Sequence, residues 1–452
     1  MPSTSDDEPR ALSGWGRATR SRATVVRPDG PDAVAAAIGA TERTGDGRGA
    51  LARGLGRAYG DAAQNAGGRV LDMTRLDAVR AFDPARGRIT VGAGVSIAAL
   101  VGHVLPHGWF PAVVPGTRWV TVGGALAADV HGKNHHVDGG FADHVASFEL
   151  VTPDGERRTI TRESNADAWA ATVGGMGLSG VITSATLDLI PVRSALVREE
   201  LARAGDLDEL LVRMSRDDRA HRYSVAWVDC AAPGGRGLLM HGDHADEPAA
   251  ATAAAALGPP RLRAPRWVPR ALLGRPTVRA FDALWFHVKP RARRSDLVPI
   301  ASFFWPLDGL RGWNRLYGPR GLVQYQCVVP HGHEDVLHAL LDRARAARVA
   351  PPLAVLKRLG PGAAPLSFPL AGWTLALDLP AGVRNLAALL DGYDELVAAA
   401  AGRVYLAKDA RLRSSTLRAM YPRLDAWRAA RARLDPGGVM RSDLARRLEL
   451  AP

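Results

Sequence analysis

"PGTRWVTVGGALAADVHGKNHH", residues 115–136, is the stretch on which the reading of this chain turns. It carries a pair of glycines after a short apolar run, then three histidines and a lysine. Three uses fit such a stretch: a metal site, a patch of solvated loop, or the wall of a cofactor pocket. His131 and His135 are four apart, as on a zinc-binding helix, and His136 adjoins them. That kind of helix needs a glutamate after the first histidine, whereas here Gly132 breaks the helix and Lys133 brings a competing cation. No metal is expected. The other two uses stay open on this stretch alone.

Two more glycine clusters flank it, "ARGLGRAYGD" at 52–61 and "GGMGLSG" at 174–180. Closely spaced glycines let backbone N–H groups approach a phosphate. The spacing of Gly54, Gly56 and Gly60 imitates a dinucleotide fingerprint, but that motif must open a sustained helix, and "GDAAQNAGG" interrupts it. A plain glycine turn is the competing reading of any one cluster. Three clusters separated by strands can wrap one extended ligand with a pyrophosphate at its middle.

A chain of 452 residues exceeds one ordinary core, which predicts two domains or one with a large insertion. The 47% apolar and 23% charged composition is that of a soluble globular protein. Apolar runs such as Ala249–Leu257 fall far short of the roughly 20 residues of a membrane span. The acidic, polar start has no apolar segment of a secretory signal, so export would need a partner. Cys230 and Cys327 make no disulfide framework, which suggests a reducing compartment. A cytoplasmic location, or one peripheral to the plasma membrane, follows.

The net charge of +12 invites a nucleic-acid reading. Yet only Lys133, Lys289, Lys357 and Lys408 are lysines; the other basic residues are arginines spread over the chain. An anionic substrate or an acidic membrane surface fits better. Each surviving lysine is informative, because arginine cannot replace a compact, titratable ammonium.

Short apolar runs with glycine punctuation predict strands, among them Ile89–Val91, and "SIAALVGHVLPHG" predicts a short helix. "VASFELVTPDGERRTITRE" reads as a hairpin with a Pro-Asp-Gly turn. "ASFFWPL" (301–307) and "LVQYQCVVP" (322–330) read as aromatic-rich strands. Between them and the N-terminal half, residues 244–276 are rich in Ala, Pro and Arg and read as a loop or lid. No period of 20 to 50 residues repeats, which excludes solenoids and propellers. The tail from Gly402 turns from strand to helix and is expected to pack back on the N-terminal region.

The motifs "GWGR", "ARGLGRAYGDAAQN", "VPGTRWVTVGG", "HGKNHH", "TVGGMGLSG", "WNRLYGP", "QYQ", "LKRLGP", "APLSFPLAGW", "YLAKDAR", "MYP" and "DLARRLEL" occur in this order from about Gly14 to Leu450. In this the chain resembles the decaprenylphosphoryl-ribose 2-oxidase family, FAD oxidoreductases of the vanillyl-alcohol oxidase (PCMH-type) fold. The resemblance implies an FAD pyrophosphate against Arg53, Gly54, Leu55, Gly56, Arg57 and Gly60, and against Gly116, Thr121, Val122, Gly123 and Gly124. It implies an isoalloxazine near Tyr59, Ala128, His131 and Tyr405, with Ile182 near the adenine. Arg57 stands where many relatives carry the histidine that binds FAD covalently, so a non-covalent flavin is expected. Lys133, Tyr317, Gln326, Lys357 and Lys408 would surround the substrate, with Trp227 and Gln324 close by. Thr374 and Ala376, in "GWTLALD", replace the Asn and Cys of better-known members on that wall.

Oxidising a secondary alcohol requires a hydride acceptor, which the flavin provides, and a base for the hydroxyl proton. Lys408 is the first candidate base, with His131 and Tyr59 as alternatives. Lys133 and Lys357 are candidates for holding a polyprenyl phosphate. Alternatively, Lys408 is a structural cation paired with Asp409 or another acid.

The expected architecture is α+β, with an FAD domain at 1–194 plus 403–452 and an inserted substrate domain with an antiparallel sheet at 195–402. The expected reaction is oxidation of the ribose C2 hydroxyl of decaprenylphosphoryl-β-D-ribose to a 2-keto sugar, a step towards cell-wall arabinan. A short-chain reductase would complete the epimerisation, and quinone or oxygen would reoxidise the flavin. An alditol or sugar-lactone oxidase of the same fold, and a non-catalytic basic binding protein, are the alternatives.

Overall fold

The computed structural model describes residues 9–44, 47–246, 257, 258, 260, 262–265, 268–289 and 294–450. The first sheet holds β1 (Pro9–Ser13), β2 (Arg20–Val26), β3 (Ala50–Arg53) and β4 (Arg69–Asp72) in the order β1-β2-β4-β3. β4 runs parallel to both β2 and β3, and the helix Pro31–Thr44 supplies the crossover that parallel strands need.

The second sheet holds β5 (Val79–Asp83), β6 (Arg88–Gly92), β7 (Trp109–Pro111), β8 (Val145–Val151), β9 (Arg157–Ile160) and β10 (Val181–Pro191). Its order is β5-β6-β10-β8-β9, with β7 paired to β10. β8 and β9 form the expected hairpin. Ser96 caps the expected helix Ile97–Val104, its hydroxyl accepting from the Ala99 N–H.

The third sheet is the largest. It takes β11 (Leu196–Ala204), β12 (Tyr223–Val228), β13 (Gly237–His244), β15 (Arg294–Pro299), β17 (Leu322–Pro330), β18 (Leu353–Leu359), β19 (Gly372–Pro380) and β20 (Arg403–Val404). The order is β15-β11-β13-β12-β18-β19-β17-β20, and every pairing is antiparallel. β14 (Leu262–Arg263) and β16 (Leu310–Arg311) make a separate two-stranded ribbon. Along β17 the side chains alternate. Tyr325 and Cys327 join a core with the helices Leu207–Asp217, Glu334–Ala346 and Leu386–Ala399, while Gln324 and Gln326 face the other way. The first of these helices buries Leu207, Leu210, Leu211 and Met214, an apolar stripe at helical spacing.

One strand expectation fails. "ASFFWPL" lies in a short helix, Ile300–Phe304, followed by a 3₁₀ turn, Pro306–Gly309. Pro299 starts the helix, and the rings of Phe303, Phe304 and Trp305 are buried against Phe110 and Tyr223. Tertiary packing of aromatics here overrides their strand propensity. Of the Ala, Pro and Arg-rich stretch, residues 247–256, 259, 261, 266 and 267 lie outside the described residues.

The tail forms the helices Ser414–Met420, Leu424–Leu434 and Asp443–Arg447. It packs on N-terminal residues. The Trp427 indole donates to the Ala171 carbonyl, and the buried Arg431 donates to the Leu178 carbonyl. No helix among the described residues is long and apolar enough to cross a membrane.

Candidate active site

A cavity of about 1050 Å³ lies between the glycine loops and the face of the third sheet that carries Gln324 and Gln326. Pockets for small ligands usually measure ~300–1,000 Å³, so there is room for more than one. One wall is made by the first two sheets. Gly54 lies tight on Thr121: a Cβ there would sit 2.2 Å from Thr121 Oγ1, so only glycine lets the first loop close on the second. Gly56 takes a left-handed φ of 64° and allows the turn. Thr121 caps the helix Val122–Ala127, its Oγ1 accepting from the Gly124 N–H. The N–H groups of Val122 and Gly123 are spent on the carbonyls of Val95 and Ala93.

The two arginines of the first loop differ. Arg53 donates to the carbonyls of Ala63 and Ser13, bracing the loop. Arg57 lies 3.9 Å from the Trp15 ring centroid, and its buried Nε has no hydrogen-bond partner. Desolvation lowers its pKa. Gly116 has open space around its Cα, with no atom within 4 Å of where a Cβ would be. The Tyr405 hydroxyl donates to the Ala128 carbonyl at 2.9 Å, and the ring stacks on Phe368. Arg57, the bare Gly116 and the size of the cavity fit FAD along this wall.

The opposite wall is chemically different. All four lysines of the chain line the cavity. Lys357 sits on β18, with its Nζ 3.3 Å from His131 Nδ1. Burial, with Lys133 and Lys408 nearby, pushes its pKa down to about 7. The Lys133 ammonium lies 4.3 Å from the Phe303 ring centroid and donates to the Phe303 carbonyl; burial lowers its pKa to about 8. Lys408 Nζ lies over the Tyr59 ring at 3.9 Å, and burial lowers its pKa to about 8 against the opposing pull of Asp378. His131 is held neutral, its pKa pushed well below the usual value by burial and by Lys357. The Gln326 amide nitrogen lies 2.8 Å from His131 Nε2 and donates to Thr374 Oγ1.

Asp129 and Asn134 explain why "HGKNHH" takes this shape. Asp129 adopts φ 39° and accepts from the Ser367 hydroxyl and the Ala142 N–H, which fixes the turn before His131. Asn134 donates to the Ala112 carbonyl and to Asp138. The three histidines diverge: His135 Nδ1 accepts from the Gly360 N–H, and His136 Nε2 faces the His221 carbonyl. Among the described residues, no group of three His, Cys, Asp or Glu side chains is arranged to hold a metal.

Most residues singled out in the sequence meet on this cavity: Arg53, Gly54, Leu55, Gly56, Arg57, Tyr59, Gly116, Thr121, Gly123, Gly124, Ala128, His131, Ile182 and Tyr405 on one side, and Lys133, Trp227, Tyr317, Gln324, Gln326, Lys357, Ala376 and Lys408 on the other. Val122, Thr374 and Gly60 do not line it. Val122 is core, and Thr374 lies behind Gln326. Gly60 packs on the chain at Asp409, where a Cβ would fall 1.8 Å from the carbonyl oxygen. Asp409 does not pair with Lys408. Its carboxylate meets Arg447 at 2.9 Å, and Arg447 also holds Asp61 through two bonds of 2.8 and 2.9 Å.

Sequence reasoning missed Asp378, Glu199 and Lys289. Asp378 lies opposite Gln324 on β19, accepts from that amide and from the Tyr317 hydroxyl at 3.2 Å, and is pushed up to about 6 by burial. Strand period two from Ala376 would have found it. Lysine rarity already marks Lys289, but no motif around it places it at the site.

The comparisons with known proteins agree with this geometry. An FAD binding domain model matches residues 23–161, and a D-arabinono-1,4-lactone oxidase model matches 383–448. The protein is therefore an FAD-dependent oxidoreductase. It is 40% identical to decaprenylphosphoryl-β-D-ribose oxidase of Mycolicibacterium smegmatis over 98% of both chains. It belongs to that family. An uncharacterised Streptomyces coelicolor protein is 44% identical over 79% of this chain and 100% of its own length. Alditol oxidase of a Streptomyces species is 28% identical over 97% of this chain and 99% of its own.

Proposed function

We propose that this chain oxidises the ribose C2 hydroxyl of decaprenylphosphoryl-β-D-ribose to the 2-keto sugar. The observation that carries the reading is the placement of all four lysines on one cavity opposite the glycine wall. A neutral polyol has no need of so many desolvated cations, whereas a phosphodiester-linked sugar offers an anion to hold. Lys133 and Lys357 are assigned to the phosphate.

Bound FAD supplies the hydride acceptor. Lys408 takes the hydroxyl proton, because its lowered pKa leaves a usable fraction of free amine near neutral pH. Tyr59 serves this role poorly, since burial and Asp378 raise its pKa well above the usual value. His131 is a weak base, held in place by Gln326. Asp378 orients Tyr317 and Gln324 beneath the sugar. The division into an FAD domain at 1–194 plus 403–452 and a substrate domain at 195–402 belongs to the same reading; the third sheet begins at Leu196, in support of the first boundary, but takes its last strand, Arg403–Val404, from beyond the second.

The alditol oxidase relative and the lactone oxidase match favour a second reading, oxidation of a small soluble polyol. Anaerobic bleaching of the flavin separates the two. A polyprenyl-phosphoribose is expected to bleach it at micromolar concentration, and xylitol or sorbitol is not; the reverse order would remove the first reading. The 2-keto product, a reactive carbonyl, calls for a reductase to consume it, and quinone or oxygen is assigned as reoxidant.

A further inference from the structure

The helix Arg275–Val288 crosses the cavity mouth and is apolar on two faces. Inward, it buries Val278 and Phe286, the latter against Trp227 and Leu238 of the third sheet. Outward, it exposes Phe281, Leu284, Trp285 and Val288, spaced i, i+3, i+4 and i+7, with Leu284 63% and Val288 62% exposed. Phe281 and Trp285 stack on each other and also line the cavity, so the exposed stripe runs on into the pocket. Lysine 289 sits at the end of this stripe, its Nζ 4.1 Å from the Trp285 ring centroid. Among the described residues, no other helix presents four such side chains to solvent.

Charge around the stripe is one-sided. Residues 257–294 contain ten arginines or lysines and a single acid, Asp282. Arg263, Arg275 and Arg279 are exposed, Arg294 pairs at 2.8 Å with Asp296 just beyond this range, and Asp282 is turned inward and buried. Burial beside Asp229 pushes its carboxyl up to about 8, so it does not offset the arginines at neutral pH. Apolar and aromatic residues on one helical face, edged by cations, are what lets a helix lie in the plane of a bilayer interface. Basic residues near the surface add attraction to anionic lipid.

We propose that the outward face of the helix Arg275–Val288 docks on an anionic lipid bilayer and holds the cavity mouth against it. A polyprenyl chain could then pass from the bilayer along Phe281 and Trp285 to the cavity without crossing water. This last step rests on the lipid-linked substrate proposed above; the docking itself does not.

The test is co-sedimentation of the full-length FAD-loaded enzyme with vesicles of phosphatidylcholine alone or mixed with phosphatidylglycerol. The wild type is expected to sediment with the mixed vesicles and to be released by salt. Leu284→Ser combined with Val288→Ser should lower the bound fraction about fivefold or more, and Val288→Trp should raise it. Neither exchanged residue lines the cavity, so flavin reduction by a short-chain, water-soluble phosphoribose should be unchanged in the double variant, while reduction by a long-chain substrate in vesicles falls. Wild type that stays in the supernatant, or a double variant that sediments like the wild type, overturns the proposal. So does a dimer that the double variant dissociates while neither form binds vesicles. If docking holds but no phosphoribose bleaches the flavin, it is the substrate assignment that fails.

Discussion

The two walls of the cavity are built on opposite principles. The backbone of the glycine wall is packed and satisfied: Gly54 lies on Thr121, Gly60 on Asp409, and the N–H groups at the start of the helix Val122–Ala127 already have acceptors. The opposite side gathers Lys357 from β18, Lys133 from the segment after the helix Val122–Ala127 and Lys408 from the segment after β20, all with pKa values lowered by burial, and few compensating acids. Holding desolvated ammonium groups close together costs stability. The difference teaches that one wall is braced by its own backbone and leaves only Arg57 Nε and the space at Gly116 to its ligand, whereas the other leaves its charges to be balanced by one.

The contrast breaks most sharply at Lys408. Lys408→Ala should retain FAD, since Arg53 and Thr121 brace the first glycine loop while the Lys408 ammonium only overlies the Tyr59 ring, yet slow flavin reduction by about 10²–10⁴-fold, the usual contribution of a general base. Lys408→Arg should restore little, because guanidinium does not deprotonate. Stopped-flow bleaching at near wild-type rate in either variant would remove Lys408 from the mechanism. In the wild type the reduction rate should rise with pH through about 8 as the ammonium loses its proton, and this rise should vanish in Lys408→Ala.

Arg447 tests the packed side. Arg447→Leu leaves Asp61 and Asp409 unpaired and should cost about 3 kcal/mol of stability. It should also weaken FAD binding, measured by flavin released on gel filtration. A variant with unchanged denaturation midpoint and full flavin content would show that the glycine wall does not depend on this clamp.

Lys357→Met sharpens the comparison in the other direction. A buried lysine with a folded pKa near 7 binds fewer protons than in the unfolded chain, where it titrates near 10.4. Unfolding therefore takes up protons, and the stability of the flavin-free protein should increase as pH rises from about 7 to 10. Replacing Lys357 with methionine should raise its melting midpoint at pH 7 by about 2 °C and flatten that rise, while abolishing substrate binding. A lower midpoint in scanning calorimetry would mean that the lysine stabilises this wall.

The smallest effect concerns thiols. Cys327 is buried on the core side of β17, with its thiol pushed up to about 12, and Cys230 is buried too, its pKa also raised. The native wild type should thus resist a maleimide, and Ala376→Cys should take up one equivalent by intact mass with little change in turnover. Alkylation of Cys327 in the wild type would reverse the facing of β17. On the other wall, acid precipitation should leave the yellow colour in the supernatant, since Arg57 offers no nucleophile; colour in the pellet would mean a covalent flavin.

Much of this was legible in the chain because glycine, lysine and alternation each leave a local mark. The three glycine clusters announce close approaches, and "QYQC" announces its two faces. What stayed hidden depends on contacts far apart in sequence. The partner of Asp409 is Arg447 and not its neighbour Lys408, and "ASFFWPL" is helical because its rings find Phe110 and Tyr223. Arg53 reads as a phosphate ligand, but its guanidinium braces the loop. Short motifs show which residues approach one another and leave open which atoms are already spent.

The Arg447 clamp also bears on how the enzyme is made. Asp61 belongs to the first glycine loop and Asp409 to the segment that presents Lys408, and the residue joining them lies in the final helix, Asp443–Arg447. Synthesis runs from the N-terminus, so the first glycine loop and the segment of Lys408 are both made before the residue that ties them together. The flavin site therefore closes only when Arg447 has been made and has folded back on Asp61, so FAD loading waits on a residue 386 positions downstream of that loop.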